Sequence, residues 1–580
     1  MLVAGRSRCF VMFCALVMML LASPQLFSGP PVALTDPLTP QEQQKKFKLP
    51  KGFEIQLVAA EPDIQKPMNL AFDARGRLWV THSVEYPFAA ADAEKSQDGL
   101  TILEGIGPDG RATKVTKFAD KLNIPIGVLP LPSGNEAIVW SIPNIWKLTD
   151  TDGDGKADKR EILYGPFDFV DTHGDQNAFR LGNDGWVYAC HGFRNASKIK
   201  LRGAGPVVLE MQSGNAYRFK TDGSAIEQIS WGQVNPFGMC IDARGDLFTA
   251  DCHSKPITML LRGGHYDSFG KPDDGLGFAP ITTSNDHGST GIAGVVSYAS
   301  DHFPREYAGS MFVGNVVTNI VHRDTVQWRG SSPWVEKPED FLTTDDWWFH
   351  PVDLQLGPEG ALYISDFYNS IIGHYEVDLK HPRRDRHRGR IWRIVYTGQD
   401  QKVSAPAVPN LTALSTDELL SRLSDSNTTV RNLVAYELQK RLDADGVAKL
   451  KVQIQPPASG SSTDVEVGAR QAGGRAQGLW LLWRLGQLDE SLIQKLAHDP
   501  AGIVRVHLVR ALGETATWSP AIANLVRSKL KDLDPFVQRA TAEALARHPD
   551  SMNLQPLVQA WNSAPAADVQ LIHAVRIAIR

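Results

Sequence analysis

The strongest constraint on the fold is a short phrase of two apolar runs joined by a tight turn, which recurs through the first two thirds of the chain. The clearest copies span residues 67–80, 175–188, 235–248 and 350–369, and looser copies span residues 124–140 and 291–317. Apolar side chains alternate on both sides of a Gly-containing turn, which is typical of two antiparallel strands. The copies begin about 50 to 60 residues apart, a spacing typical of propeller blades, whose sheets bury their faces against their neighbours. We therefore predict an all-β six-bladed propeller over residues 48–397.

The two ends of this region each contain a strand that has no partner within a copy. Residues 53–58 alternate in hydrophobicity, and residues 389–395 (GRIWRIV) form a second strand-like run. A propeller ring closes when the beginning of the chain pairs with its end. We therefore expect these two segments to share the last blade.

From residue 411 the spacing of apolar residues changes to the helical period, after a Pro-containing linker at residues 398–410. Asp425, Asp499 and Asp534 precede similar helical segments, at separations of 74 and 35 residues, and a weaker copy near Asp464 fills the longer gap. Helix pairs repeated at this spacing are typical of HEAT-like solenoids, and Asp is a favoured N-cap. We predict an all-α HEAT-repeat solenoid over residues 411–580, in which these aspartates cap the second helix of each pair.

The first residues are typical of a secretion signal. Arg6 and Arg8 precede a 14-residue apolar run at residues 9–22, and a Pro-rich spacer follows to residue 47. The run has the length of a signal-peptide core and is short for a membrane span. We predict a signal peptide at residues 1–22, a spacer at residues 23–47 and export to the periplasm or cell envelope; an uncleaved anchor is the alternative.

Charge and cysteine content limit the range of functions. A net charge of −5 and a pI near 6.4 give no reason to expect a nucleic-acid partner. Outside the signal peptide only Cys190, Cys240 and Cys252 remain, too few for a disulfide framework. The basic run at residues 381–388 is interpreted as a solvated rim with internal ion pairs, and attraction of an anionic ligand is the alternative.

Residues 150–161 match the pattern of a calcium-binding loop in full. Gly155 stands at the sixth position, where such a loop turns sharply. The expected oxygen ligands are Asp150, Asp152, Asp154, Lys156 through its backbone carbonyl, Asp158 and Glu161. Strand-like segments flank the loop, so we predict a calcium ion in a structural role; a solvated Asp/Gly turn is the alternative.

Polar residues also fall at equivalent positions of several blades. In a propeller, the start of each inner strand and the loop leaving the second strand converge on one mouth of the axial channel. The residues expected there include His173, Asn235, Asp251, His253, His350 and Asp353. His173 is a candidate general base, with Asp171 or Asp175 orienting its ring; a hydrogen-bonded histidine at a blade entrance is the alternative. Residue types alone do not separate a metal, a sugar and a quinone as the ligand.

Four segments carry a resemblance to a known family. Residues 48–53 (KLPKGF), 76–80 (GRLWV), 349–353 (FHPVD) and 389–394 (GRIWRI) resemble the exported membrane-bound dehydrogenase propellers of planctomycete-type bacteria. That family is similar to the soluble glucose and sorbosone dehydrogenases, which carry pyrroloquinoline quinone, and it often continues through HEAT repeats into a haem domain. The resemblance implies that His173 is the catalytic base and that Asn235, with its neighbours at the mouth, binds the cofactor.

The chain also departs from that family's pattern. No Cys-x-x-Cys-His motif occurs, so this chain has no covalent haem. Where the dehydrogenases have Arg-Asn-Pro, this chain keeps Asn235 but has Val234 in place of Arg, and residues 345–350 contain neither Arg nor Lys. Because a tricarboxylate cofactor needs cations, these replacements bear directly on quinone binding.

Together these features predict an exported dehydrogenase-like protein that oxidises a sugar or related alcohol. Its cofactors would be calcium and pyrroloquinoline quinone, or an external electron acceptor would replace the quinone, and a protein partner such as a cytochrome c would dock on the HEAT arm. The first alternative is a non-catalytic propeller that binds carbohydrate or protein. The second is a metal-dependent hydrolase or lactonase, since one propeller fold hosts several chemistries.

Overall fold

The computed structural model describes residues 32–372, 377–400, 402–457 and 465–580. The predicted signal peptide at residues 1–22 lies outside the described residues. Six antiparallel sheets are followed by a helical region, which confirms the predicted six-bladed propeller and α-solenoid.

The blades are built from strands taken in chain order. The strands are β1 (Phe53–Ala60), β2 (Pro67–Phe72), β3 (Leu78–His82), β4 (Asp98–Glu104), β5 (Lys114–Leu122), β6 (Val128–Pro130), β7 (Glu136–Ser141), β8 (Asn144–Thr149), β9 (Lys159–Gly165), β10 (Asn177–Leu181), β11 (Trp186–His191), β12 (Ala196–Leu201), β13 (Val207–Gln212), β14 (Asn215–Lys220), β15 (Ile226–Trp231), β16 (Asn235–Ile241), β17 (Leu247–Cys252), β18 (Thr258–Leu260), β19 (Ile292–Ser297), β20 (Met311–Asn315), β21 (Ile320–Arg329), β22 (Ser332–Leu342), β23 (Pro351–Leu356), β24 (Leu362–Asp366) and β25 (Arg390–Tyr396). Blade 1 consists of β2–β5, blade 2 of β6–β9, and blade 3 of β10, β11, β14 and β15. Blade 4 consists of β16–β18, blade 5 of β19–β22, and blade 6 of β23–β25 together with β1. The hairpin β12–β13 was not predicted; it leaves blade 3 and pairs with β9, which extends the sheet of blade 2.

The ring is closed by antiparallel pairing of β1 with β25, as the sequence predicts. The register runs from Phe53 opposite Tyr396 to Ala60 opposite Arg390. Phe53 anchors this clasp, because its ring packs edge-on against the ring of Phe303 at a centroid distance of 4.8 Å in the hydrophobic core shared with blade 5. Edge-to-face aromatic contacts of this kind add to the burial of apolar surface.

Residues 33–47, predicted as part of a spacer, are packed along blade 6. The Ala33 N–H donates to the Ser370 carbonyl at 2.7 Å. Gln43 is fully buried, and its Nε2 donates to Asp366 Oδ2 at 2.9 Å. A buried amide that is paired in this way fixes the segment in place, because an unpaired one would carry a desolvation penalty. The segment therefore belongs to the folded propeller domain.

The helical region consists of antiparallel helix pairs that stack along the chain. No helix in the described part of the chain is both long and apolar enough to cross a membrane. A short α1 (Pro40–Gln44) precedes the propeller, and the pairs are α2 (Thr416–Arg422) with α3 (Thr428–Arg441), α4 (Ala444–Gln453) with α5 (Val465–Arg484), α6 (Glu490–Leu496) with α7 (Gly502–Gly513), α8 (Pro520–Ser528) with α9 (Pro535–Arg547), and α10 (Leu554–Ser563) with α11 (Val569–Ile579).

The predicted capping role holds for one of the three aspartates. Asp534 is the N-cap of α9 and accepts from the Phe536 N–H at 2.9 Å. Asp499 lies two residues before the N-cap of α7, and its carboxylate binds the Arg475 guanidinium through two hydrogen bonds of 2.7 and 2.9 Å. Asp425 likewise precedes the N-cap of α3, which is Asn427. Asp499 therefore joins two helix pairs instead of capping one helix.

The second helix of each pair faces the propeller and contacts its turns. His507 of α7 donates from Nε2 to the Ala243 carbonyl at 2.9 Å, and Arg539 of α9 donates to Asp246 Oδ2 at 2.6 Å. Further contacts join α3 to Gly182 and Gly357, α5 to Asn183, and the start of α11 to Ser331 and Ser332. Most of these turns join the first and second strands of a blade and carry the glycines of the repeated phrase. The arm formed by α2–α11 thus covers one face of the propeller with its own inner face.

A buried ion cluster connects the arm to blade 3. The Arg218 side chain is fully buried, and its guanidinium donates to both Glu514 oxygens, at 3.0 and 2.8 Å. It also donates to Asp184 Oδ2 at 2.7 Å and lies over the Trp186 ring at 4.3 Å. Buried ions of this kind are stable only as a satisfied set, because each unpaired charge carries a desolvation penalty of several kcal/mol.

Substituting Asp246→Asn tests whether the arm is held by buried charges. Asp246 is 3% exposed and accepts hydrogen bonds from Arg539 and Arg510. The substitution therefore removes the negative charge that offsets these two guanidinium groups. We expect the free energy of unfolding to fall by about 3 to 5 kcal/mol, measured by urea denaturation. Asp417→Asn, which breaks the exposed pair with Lys449, is the control and should leave it unchanged. Equal effects of the two substitutions would contradict a buried electrostatic anchor.

His507 makes the docking of the arm sensitive to pH. Its Nδ1 accepts from Trp480 Nε1 at 2.9 Å while Nε2 donates to Ala243, so the bonded form is the neutral imidazole. Burial lowers the His507 pKa from 6.5 to about 4. The unfolded chain therefore binds a proton near pH 6.5 and the folded chain only near pH 4. The stability contributed by neutral His507 is complete above pH 6.5 and is lost as the pH falls from 6.5 to 4.

The variant His507→Gln separates this titration from others. Glutamine can keep both hydrogen bonds but does not titrate, so we expect the variant to lose less stability than the wild type between pH 6.5 and 4. The difference should reach at most about 3 kcal/mol. Unfolding free energies measured across that pH range give the answer, and parallel curves for the two proteins would rule out this role of His507.

Candidate functional site

The predicted site residues gather at one mouth of the propeller, opposite the arm. Antiparallel pairing places the start of each inner strand beside the end of the second strand of its blade. Asn235 Nδ2 donates to the His173 carbonyl at 3.2 Å. Phe367, whose N–H donates to the His350 carbonyl at 3.0 Å, lines the same cavity as His173. The structure therefore brings His173, Asn235 and His350 to the same end of the propeller.

His173 forms a pair with Asp171 in a single 3-10 turn ahead of β10. Its Nδ1 lies 3.0 Å from Asp171 Oδ1, and its side chain is 18% exposed. Because Nδ1–H donates to the carboxylate, Nε2 is the nitrogen that can accept a proton. The Tyr86 ring packs edge-on against the imidazole at 5.0 Å. Asp175, the other candidate partner, makes no hydrogen bond to the ring, and burial raises the pKa of its carboxyl well above the ordinary range.

Asn235 and Asp251 hold the backbone of the mouth loops. Asn235 Oδ1 accepts from the Phe193 N–H at 3.0 Å while its amide nitrogen donates to His173. The Asp251 oxygens accept from the N–H groups of Asn235 and Val234 at 2.7 and 3.1 Å. Burial raises the Asp251 pKa to about 6, although these hydrogen bonds lower it. Both side chains thus position the loops around His173 and have their main polar atoms engaged within the protein.

The two other predicted histidines differ in exposure. His350 is buried, with Nδ1 2.7 Å from the Val316 carbonyl, and burial lowers its pKa to about 4. His253 is exposed at the mouth, has a left-handed backbone with φ of 73°, and lies 6.3 Å from the Phe269 ring. Strained backbones of this kind often mark ligand-binding loops. His253 is therefore the one of the two that a ligand at the mouth can reach.

Asp353 is fully buried on the inner strand of blade 6. Its Oδ1 is 3.3 Å from Arg180 Nη2, and its Oδ2 accepts from the Leu70 N–H at 2.9 Å. Gly238 has φ of 117°, and a Cβ there would lie 2.6 Å from the Gly294 Cα. The ion pair joins β10 of blade 3 to β23 of blade 6, and β16 and β19 approach each other closely. Asp353 is therefore held between the inner strands by protein groups.

The structure adds basic side chains that the sequence analysis assigned to a solvated rim. Arg384, Asp385 and Arg386 line the cavity beside His173. Lys66 holds this run, because its Nζ lies 3.0 Å from Asp385 Oδ1 and its side chain is 1% exposed. Burial lowers the Lys66 pKa to about 8, although Asp385 opposes the shift. The cluster of arginines was visible in the sequence, but its position over the mouth follows only from the path of the loop.

The cavity beside His173 is too small to enclose the quinone. Its volume is about 20 Å³, room for about one water molecule, whereas pockets for drug-sized ligands measure about 300 to 1,000 Å³. The arginines match the carboxylates of pyrroloquinoline quinone, but the cavity does not enclose its ring system, which would have to lie at the open mouth.

The predicted calcium loop lies between β8 and β9, on the side of blade 2 that faces the arm. The carboxylates of Asp150, Asp152 and Asp154 each contribute an oxygen to a group whose members lie within 4.8 Å of one another. The Asp150 oxygens also accept from the N–H groups of Gly153 and Gly155, at 2.7 and 2.9 Å. The loop is thus closed around a core of three carboxylates.

The other predicted calcium ligands are placed differently. Lys156 donates its N–H within the loop at 2.7 Å. Asp158 accepts from the Thr151 hydroxyl at 2.6 Å, so it lies beside the core. Glu161 lies on β9, where it pairs with Lys159 Nζ at 2.9 Å. Glu161 is thus held by the sheet and paired with a cation, outside the core of three carboxylates.

Comparisons with solved structures returned propeller enzymes. An oxidoreductase named as a glucose dehydrogenase from Thermus thermophilus is 15% identical, with a TM-score of 0.42 over 59% of this chain and 100% of that chain. The pyranose dehydrogenase PQQ domain from Coprinopsis cinerea is 13% identical, with a TM-score of 0.40 over 60% of this chain and 97% of that one. A luciferin-regenerating enzyme is 12% identical, with a TM-score of 0.37 over 62% of this chain and 99% of that one.

Comparisons with family models cover most of the chain. Residues 490–576 match the model of HEAT repeats. The comparison with curated proteins gave no match. Residues 39–398 match the model described as domain of unknown function DUF7133, which is more than half of the chain. The chain therefore belongs to the DUF7133 family and carries HEAT repeats after that domain.

Proposed function

We propose that this protein is an exported dehydrogenase-like enzyme that oxidises a hydroxyl group of a sugar or related alcohol at the mouth of the propeller. The observation that carries the proposal is the His173–Asp171 pair, held at 3.0 Å beside a small cavity at the mouth. A histidine with one nitrogen fixed by a carboxylate is the usual arrangement of a general base. The predicted signal peptide supports export to the periplasm or cell envelope.

In this proposal Asp171 accepts the Nδ1–H of His173 and stabilises the imidazolium that forms. His173 Nε2 takes the proton of the substrate hydroxyl, and the hydride on the same carbon passes to an external two-electron acceptor such as a quinone. The carbon–oxygen bond becomes a carbonyl as the acceptor is reduced. Asn235 and Asp251 hold the loop that carries His173 through the backbone contacts at 3.2 and 2.7 Å.

Protein partners fit the outer face of the arm better than its inner face. The second helices already contact the propeller, so a protein partner such as a cytochrome c would dock on the first helices, on the far side of the propeller from the mouth. Such a partner would receive electrons from the external acceptor and not directly from the substrate. Leu554, Val558 and Trp561 of α10 are 52%, 38% and 45% exposed and follow the spacing of one helix face. This surface is where we place the proposed partner.

One alternative function has an observation in its favour. The cavity of about 20 Å³ and the engaged side chains of Asn235 and Asp251 are also compatible with a propeller that binds carbohydrate or protein without catalysis. The hydrolase alternative requires metal ligands at the mouth. In the part of the chain that the structure describes, carboxylates converge as a triad only at Asp150, Asp152 and Asp154, on the other face.

Dye reduction tests the enzymatic proposal. The full mature chain is incubated with calcium, a soluble quinone, a redox dye and a panel of aldoses, polyols and sugar acids. His173→Ala should lower the rate by about 100- to 10,000-fold, because it removes the general base. Asp171→Asn should lower the rate less, because the base remains but its ring is no longer held by a charge.

His498→Ala is the matched control, since His498 is an exposed histidine of the arm. This variant should reduce the dye at the wild-type rate. Clear sugar binding without dye reduction by the wild type would favour the binding module instead. Dye reduction that survives His173→Ala would exclude His173 as the base.

The loop at residues 150–158 generates a separate prediction for calcium. Metal that binds only the folded chain should raise its stability by about 2.7 kcal/mol when calcium exceeds its dissociation constant 100-fold. Thermal unfolding with and without calcium measures this effect. Asp152→Ala should abolish it, because Asp152 supplies one oxygen of the triad and otherwise accepts only from the Asp154 N–H of the same loop.

Asp120→Asn is the control for the calcium experiment, since Asp120 is a nearby exposed carboxylate that pairs with Arg160 outside the triad. It should keep the full response to calcium. Stabilisation by calcium that persists in Asp152→Ala would place the ion elsewhere, and no stabilisation of the wild type would leave the loop as a solvated turn.

A further inference from the structure

The cavity beside His173 lies in a locally basic environment, although the whole chain carries a net charge of −5. Arg384 and Arg386 line the cavity together with Asp385. The Asp385 carboxylate is neutralised twice, by Lys66 at 3.0 Å and by Arg388 at 2.5 Å. Arg386 therefore adds to the cavity a positive charge that no ion pair among the described residues neutralises, and this charge favours an anionic group over a neutral one.

Arg386 is the arginine best placed to bind a ligand. Its Nη1 donates to the Val84 carbonyl at 2.8 Å, which fixes the direction of the guanidinium. Within the residues that the structure describes, Arg386 forms no ion pair, whereas Arg388 is committed to Asp385. A guanidinium held by one backbone carbonyl keeps donors in the planar arrangement that binds a carboxylate through two hydrogen bonds.

The size and walls of the cavity limit what can enter. A volume of about 20 Å³ accepts one small group, such as a carboxylate, and leaves the remainder of a ligand at the open mouth. Tyr86, Phe367 and Ile371 provide apolar walls. An anion enclosed by such walls interacts more strongly with a nearby guanidinium than it would in water, because the local dielectric constant is lower.

We infer that the cavity takes the carboxylate of an acidic sugar, a uronic or aldonic acid, with Arg386 as the residue that determines specificity. This inference rests on the proposed function, because the acidic sugar is the substrate whose hydroxyl His173 would deprotonate. His173 and Arg386 line the same cavity. A carboxylate bound at Arg386 would therefore bring the hydroxyl on an adjacent carbon toward the base.

Calorimetric titration of the full mature chain with gluconate, glucuronate and glucose, at constant ionic strength, tests this inference. We expect the acidic sugars to bind at least about 10-fold more tightly than glucose. Arg386→Gln should weaken gluconate binding by about 10- to 100-fold and leave glucose binding unchanged, because the lost contact is a charged hydrogen bond. Glucose 6-phosphate serves as a second anion, and binding as tight as that of gluconate would reject the preference for a carboxylate.

Two further variants make the result independent of folding. Lys380→Gln removes one positive charge from an exposed position of the same loop and should leave all affinities unchanged. Arg386→Lys keeps the charge but loses the planar fork, so its affinity for gluconate should fall between those of the wild type and Arg386→Gln. Each variant is compared with the wild type by its thermal midpoint before titration.

The outcomes separate this inference from the proposed function. Equal binding of glucose and gluconate, or unchanged gluconate binding by Arg386→Gln, overturns the inference even if the dye is reduced with neutral sugars. No binding of any of these sugars overturns it as well. Gluconate binding that depends on Arg386, without dye reduction by any substrate, supports the carboxylate site and rejects the oxidation reaction.

Discussion

The pairing of β1 with β25 is the interaction on which the rest of the structure depends. These strands are about 330 residues apart in the chain, and their pairing from Phe53 to Ala60 closes the ring of blades. An open ring would leave the inner strands of blades 1 and 6 without neighbours and would expose the apolar core between them. Closure also fixes the start of β2, where Lys66 meets Asp385. The basic side of the mouth is therefore a direct consequence of the clasp.

A closed ring of antiparallel sheets gives the molecule two different faces. The turns between first and second strands lie on one face, and the beginnings of the inner strands lie on the other. The arm occupies the face with the turns, through Asp246 and the buried Arg218 cluster. The candidate site consequently lies at the opposite mouth. The turn of the repeated phrase thus contacts the arm, whereas the residues at the start of the phrase lie at the candidate site.

The sequence predicted the architecture because both repeats have a period that can be read from residue types. It did not predict how the two repeats meet, because the turns that bind the arm have the composition of ordinary solvent-exposed turns. Residue types also mark polar positions without showing what they bind. Asn235 and Asp251 were predicted to bind a ligand, and the structure shows their polar atoms on neighbouring backbone groups.

The placement of His173 could be predicted, because it needs only the alignment of one blade with the others. The placement of Arg386 could not, since it depends on the path of a long loop between β24 and β25. That loop is ordered at its far end by a contact with a different blade, the hydrogen bond from Arg386 to Val84. A pattern of local sequence contains no information about such a contact.

Burial shifts the pKa of several polar groups at the mouth. It raises the pKa of Asp251 and Asp366 to about 6, lowers that of His350 to about 4 and lowers that of Lys66 to about 8, so each of these groups is shifted toward its neutral form. Near pH 7 His350 is neutral, whereas Asp251 and Asp366 remain mostly ionised and Lys66 mostly protonated, and all four are held by hydrogen bonds or ion pairs within the protein. The side chains that line the cavity are the arginines of the basic loop and His173, whose ring is held by Asp171. In the proposed function, such a site would select its ligand by the charge at the rim, while the buried groups beneath it hold His173 in position.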